Sequence, residues 1–80
     1  MSKMVQKFKF VEKNIDMLKT LTKNGYVSPK LLNDYDIYKS YMNTKDPSKM
    51  KRYSIVAKEN KRSVVNVRQS VYQMKKYVRE

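Results

Sequence analysis

One glycine and two prolines in 80 residues leave this chain almost without the residues that turn a backbone sharply. An all-β fold needs many tight turns, and glycine and proline are what usually build them. Most of the chain instead carries helix formers, with apolar residues three and four apart. The expected fold is therefore all-α: a small bundle of about four helices in a single domain spanning residues 1–80. A chain of this length buries only about 60% of the surface its unfolded form exposes, so the core is small.

The first expected helix runs from about Val5 to Asn24. Its stripe is Phe8, Val11, Ile15 and Leu18, then Leu21 or Thr22, and Gly25 follows as a residue just past a helix end should. The stripe is about two heptads long. An independent coiled coil asks for three or four, so packing within the domain is favoured over dimerisation. Ser28-Pro29 then marks a helix start, serine as N-cap and proline at the first position. This second helix reaches about Asn43. Leu31, Tyr35, Tyr38 and Met42 share one face, Leu32, Ile37 and Tyr41 flank it, and Asn33, Asp34, Asp36, Lys39 and Ser40 are assigned to the surface. Tyrosines at helical spacing read as core with their hydroxyls at the rim, not as base-stacking platforms.

Asp46-Pro47 or Ser48 caps a third helix over about Ser48 to Asn60. Met50, Tyr53, Val56 and Ala57 face inward; Lys49, Lys51, Arg52, Lys58 and Glu59 face out. Asn60 is suited to a left-handed C-terminal conformation. The fourth helix starts at Ser63 and extends to Val78. Its core stripe is Val64, Val67, Val71, Met74 and Val78. The residues on the other side are Val65, Asn66, Arg68, Gln69, Tyr72, Gln73, Lys75 and Lys76.

Charge narrows the function. Nineteen Lys/Arg against seven Asp/Glu give a formal +12, which implies a polyanionic partner: nucleic acid first, then an anionic membrane surface or an acidic protein. The excess is uneven. Residues 48–80 are net +8 and residues 1–47 net +4, and all four arginines (Arg52, Arg62, Arg68 and Arg79) fall in the second half. Arginine's planar fork reads guanine and grips phosphate, so the skew points to a contact surface rather than to solubility alone.

The absences are consistent with a binding protein. There is no cysteine and no histidine, which removes disulfides, thiolate metal sites and the commonest general base. There is no glycine-rich phosphate loop. Glu12/Asp16 and Asp34/Asp36 do not compose an acid/base or metal site, because residues two apart point to different helix faces and lysines surround the other pair. No catalytic residue, metal or cofactor is expected, and no enzymatic activity. No apolar run reaches the 18 residues a transmembrane helix needs, and Met1-Ser-Lys-Met-Val-Gln-Lys has no apolar signal segment. The expected location is the cytoplasm, in association with the nucleoid.

The third and fourth helices carry the most specific pattern. Two helices crossing closely after a tight turn need a small residue in the first, which is Ala57. They need a short turn, Asn60-Lys-Arg, and a cap for the exposed N–H groups of the second helix, Ser63. They also need an inward aliphatic residue one turn on, Val67. The face opposite then presents Asn66, Arg68, Gln69 and Tyr72. Asparagine and glutamine pair with adenine and arginine with guanine, so these four are the candidate base contacts. Arg52, Lys58, Lys61, Arg62, Ser63, Lys75 and Lys76 are the candidate phosphate contacts.

The spacing Ala57…Ser63…Val67 resembles the helix-turn-helix of LuxR-type regulators and of sigma-factor region 4. The segment from Tyr53 to Val71 is also similar to the effector domain of sporulation response regulators, matching at Tyr53, Ala57-Lys58-Glu59, Val67 and Ser70. The resemblance covers 25 to 30 residues. It implies that Arg68, Gln69 and Tyr72 read the major groove, with Asn66 near the backbone or a base edge. Asn60 departs from those families, which usually place an apolar residue there.

The expectation is sequence-selective binding of double-stranded DNA in transcriptional regulation, with the helix at 63–78 in the major groove. No ligand-sensing domain is expected within these 80 residues. A homodimer on a two-fold site is plausible, with Tyr77, Val78 and the first helix as candidate dimer surfaces. The alternatives are a basic adaptor that binds RNA polymerase or another acidic transcription protein, anchored by Tyr72 and Tyr77, and a binder of structured RNA.

Overall fold

The structure, a computed structural model, describes residues 3–79; Met1, Ser2 and Glu80, which the single-domain expectation includes, lie outside the described residues. The order is β1 (Met4–Gln6), α1 (Lys7–Lys13), α2 (Ile15–Lys23), α3 (Pro29–Asn43), α4 (Lys49–Glu59), α5 (Val64–Lys75) and β2 (Tyr77–Arg79). The fold is a small, mostly helical domain, as the scarcity of turn residues requires. β1 and β2 add an antiparallel two-stranded ribbon that joins the two ends of the chain.

Helix starts follow the serines. Ser28, Ser48 and Ser63 each cap a helix, accepting from the N–H groups of Lys30 (3.3 Å), Lys51 (3.4 Å) and Asn66 (3.1 Å). Helix ends follow the asparagines. Asn14, Asn24 and Asn60 each close a helix and donate from Nδ2 to the carbonyl four residues back, at 2.9, 2.8 and 2.8 Å. After α2, Gly25 takes the left-handed conformation (φ 80°), and the N–H of Tyr26 reaches the Leu21 carbonyl (2.9 Å). α4 ends in the same way: Arg62 N–H donates to the Ala57 carbonyl (2.8 Å). The left-handed residue there is Lys61 (φ 54°), not Asn60, whose φ is −98°.

The expected first helix is two helices. Asn14 (φ −111°, ψ 23°) ends α1 and starts α2, and residues 4–6 form a strand. The expected stripe still packs on the domain: Val11 and Leu18 are buried, with Phe8 and Ile15 half-buried against them, and Phe10, outside that stripe, packs there too. α5 stops at Lys75, short of Val78, which sits in β2 opposite Val5.

α3 runs through the core. Tyr35, Ile37, Tyr38 and Tyr41 are buried, while Met42 is exposed. Aromatic rings form a ladder along it. Phe8 stacks on Tyr35 (centroids 5.4 Å) and meets Tyr38 edge-on (4.7 Å), Tyr38 stacks on Tyr41 (6.2 Å), and Tyr41 stacks on Tyr53 of α4 (5.2 Å). The tyrosines of α3 are thus core residues. α4 contributes Val56 and Ala57 to the core; Tyr53 is half-buried and Met50 exposed. Asp34, assigned to the surface by its charge, is buried. It accepts from the Ser70 hydroxyl of α5 (2.7 Å) and from the Lys30 ammonium (2.9 Å).

Candidate nucleic-acid interface

The geometry of α5 follows from what it buries. Val67 and Met74 are fully buried, Val71 and Ser70 nearly so, and Val64 is half-buried. These residues fix the helix's rotation against α3 and α4. Its outward face is then Val65, Asn66, Arg68, Gln69, Tyr72, Lys75 and Lys76, all exposed. Ala57 is buried at the start of the α4–α5 turn, Ser63 caps α5, and Val67 has no exposed surface.

The four candidate base contacts divide between two grooves that flank α5. Asn66 and Gln69 line the groove toward α3, with Lys30, Asn33, Asp34, Arg62 and Ser70. Arg68, Gln69 and Tyr72 line the groove toward α4, with Tyr53, Val65 and Lys75. Gln69 borders both and therefore lies on the crest. Val65 lines only the α4 groove and is 57% exposed. Periodicity had placed it outward, but an apolar side chain was not counted among contacts. A valine there is suited to a thymine methyl, which is the apolar feature of the major groove.

The candidate phosphate contacts also separate. Lys58, Lys61, Arg62 and Ser63 are exposed and surround the N-terminus of α5, where unsatisfied N–H groups and the helix dipole favour an anion. Arg52 and Lys75 lie elsewhere, both against Tyr41. The Arg52 guanidinium is 4.7 Å from that ring's centroid and the Lys75 ammonium 5.9 Å. Arg52 is half-buried, and its Nε has no hydrogen-bond partner among the described residues. It closes the aromatic ladder instead of facing freely outward, as its charge alone had suggested. The Lys76 ammonium lies 5.1 Å from the Tyr72 ring, one turn along the exposed face.

The electrostatics of this face are mostly positive: from Asn60 to Arg79 the chain has six cations and no acid, while Asp34, paired with Lys30, puts a carboxylate on the groove toward α3. Tyr53, on the wall of the α4 groove, holds its phenol proton more tightly than usual. Burial is the main cause, followed by the neighbouring Tyr41 phenol, through its charge and a hydrogen bond; Arg68 and Arg52 pull the other way. Its hydroxyl is therefore neutral at physiological pH. Among the described residues, no group of three or more His, Cys, Asp or Glu is placed to hold a metal ion, and no helix is long and apolar enough to cross a membrane. No protein-family model, curated protein or solved structure matches the chain.

Proposed function

We propose that this protein binds double-stranded DNA sequence-selectively as a transcriptional regulator, with α5 as the recognition helix of a helix-turn-helix formed with α4. The observation that carries the reading is the outward face of α5: Val65, Asn66, Arg68, Gln69 and Tyr72, set on a helix whose opposite face is fully engaged in the core. Each polar member has a base-edge partner, adenine for Asn66 and Gln69 and guanine for Arg68. Lys58, Lys61, Arg62 and Ser63 then hold phosphate at the helix N-terminus. In this reading the chain is a binding module and not a catalyst, acting on DNA in the nucleoid.

The test is selection from a random duplex library, read for an enriched motif and its symmetry. A palindrome indicates a dimer on two half-sites. Arg68→Ala with Gln69→Ala should abolish sequence preference and leave weak, salt-sensitive binding. A double variant that discriminates as well as wild type would place the reading surface elsewhere. The exposed rings of Tyr72 (65%) and Tyr77 (61%) favour a second reading, an adaptor that anchors on an acidic transcription protein. Salt separates the two: affinity for DNA falls steeply between about 50 and 200 mM salt as counterions are released.

A further inference from the structure

The terminal ribbon has two unlike faces. In its register Val5 opposes Val78, and both are half-buried against the domain. Side chains alternate along a strand, so the pairs Met4–Arg79 and Gln6–Tyr77 share the opposite face. Met4, Tyr77 and Arg79 are exposed there. Lys3, Met4, Val5, Gln6, Lys9 and Tyr77 line a shallow groove beside it. Over the ribbon, the whole of α1 and the end of α5 (residues 3–13 and 75–79) there are seven cations against one acid, Glu12.

Two observations choose the occupant of this surface. Arg79 on β2 is the ribbon's own cation, while Lys3 just before β1 and Lys9 on α1 line the groove beside it, so a second copy of the chain would meet like charge. The ribbon is also fastened to the C-terminal end of α5. Lys7 N–H donates to the Lys76 carbonyl, and β2 begins one residue beyond. A 12-residue helix is about 18 Å long, whereas the major groove is about 12 Å wide. With its N-terminus in the groove, such a helix carries its far end to a phosphate backbone.

We infer that the outer face of the terminal ribbon and the adjoining turn of α1 form a second DNA contact, in which Arg79 of β2 and Lys9 of α1 grip the phosphate backbone flanking the groove read by α5. This rests on the DNA-binding reading above, and it assigns a role to cations outside the two helices that carry that reading. The contact is to phosphate, so it adds affinity and footprint without altering sequence preference.

The experiment measures the salt dependence of affinity on the preferred duplex and on a scrambled one. It compares wild type, Lys9→Gln/Arg79→Gln and the charge-keeping Lys9→Arg/Arg79→Lys, with folding checked by circular dichroism. Each lost phosphate contact should reduce the slope of log affinity against log salt by about 0.9, hence by roughly 1.8 for the glutamine pair. Affinity should fall by the same factor on both duplexes, and the charge-keeping pair should retain the wild-type slope. A wild-type slope in the glutamine pair overturns the inference. So does an altered sequence preference, or an equal loss in the charge-keeping pair. If Arg68→Ala/Gln69→Ala still abolishes preference in that case, the recognition helix stands and only the ribbon contact falls. If wild type binds no duplex, both fall.

Discussion

Asp34 holds α3 to α5 at the base of the recognition surface. It is 7% exposed and takes the Ser70 hydroxyl on one oxygen and Lys30 on the other. The Lys30 side chain is 71% exposed, so that ion pair contributes at most about 1 kcal/mol. The Ser70 bond matters more, since losing it strands a buried carboxylate oxygen. Ser70→Ala should cost about 1–3 kcal/mol in urea unfolding, and Asp34→Leu with Ser70→Ala should cost less than Ser70→Ala alone. A double variant less stable than the single would show that Asp34 matters for other reasons. Lys61 offers the opposite case. A side chain at φ 54° carries a strain of about 1–2 kcal/mol that glycine avoids. Lys61→Gly should therefore stabilise the fold by about 0.5–1 kcal/mol, yet weaken duplex binding, because it removes a cation beside the N-terminus of α5. Unchanged affinity would take Lys61 out of the interface. Neither feature was legible in the sequence. Asp34 is buried by a partner 36 positions away, and asparagine outranks lysine for a left-handed site until Asn60 spends its side chain on the Val56 carbonyl.

At the scale of elements, local chemistry carried the most information. Ser28-Pro29 opens α3, and Ser63 opens α5 with the N–H of Asn66 on its hydroxyl. The rotation of α5 was legible too, because a stripe at spacings of three and four has one buried solution. The two ends of the chain were not. Nothing at Lys13-Asn14-Ile15 breaks the apolar period, so α1 and α2 read as one helix; the interruption is an asparagine cap, with no glycine or proline. Val78 fits the α5 stripe and a strand equally well, and pairing with Val5 decides between them. The α5 cap separates folding from binding experimentally. Ser63→Ala should cost about 1 kcal/mol of stability. Ser63→Asp keeps a good cap and suits the helix dipole, so stability should hold within about 0.5 kcal/mol. Its carboxylate would stand where phosphate is proposed, so duplex affinity should drop. If Ser63→Asp binds DNA as wild type does, the anion site is not at this helix end.

Across the whole molecule, a net +12 is held on a small core whose largest feature is the ladder from Tyr35 through Phe8, Tyr38 and Tyr41 to Tyr53. That ladder ties α1, α3 and α4 together, and it makes stability sensitive to alkali. Burial raises the phenols of Tyr35, Tyr38 and Tyr53 above their ordinary 10.0; Glu12 and Asp36 add to the effect at Tyr35, and neighbouring Tyr41 at Tyr38 and Tyr53. The folded state thus holds these protons more tightly than the unfolded chain. Their contribution is fully present below about pH 10 and is lost as pH rises through the higher folded values. Comparing wild type with Tyr35→Phe/Tyr38→Phe isolates the phenols, since the rest of the chain is common to both. The urea midpoint of wild type should fall further than that of the double variant between about pH 9 and pH 11. Equal falls would mean that these two hydroxyls ionise in the folded protein as readily as in the unfolded chain, and that the ladder's rims are open to water.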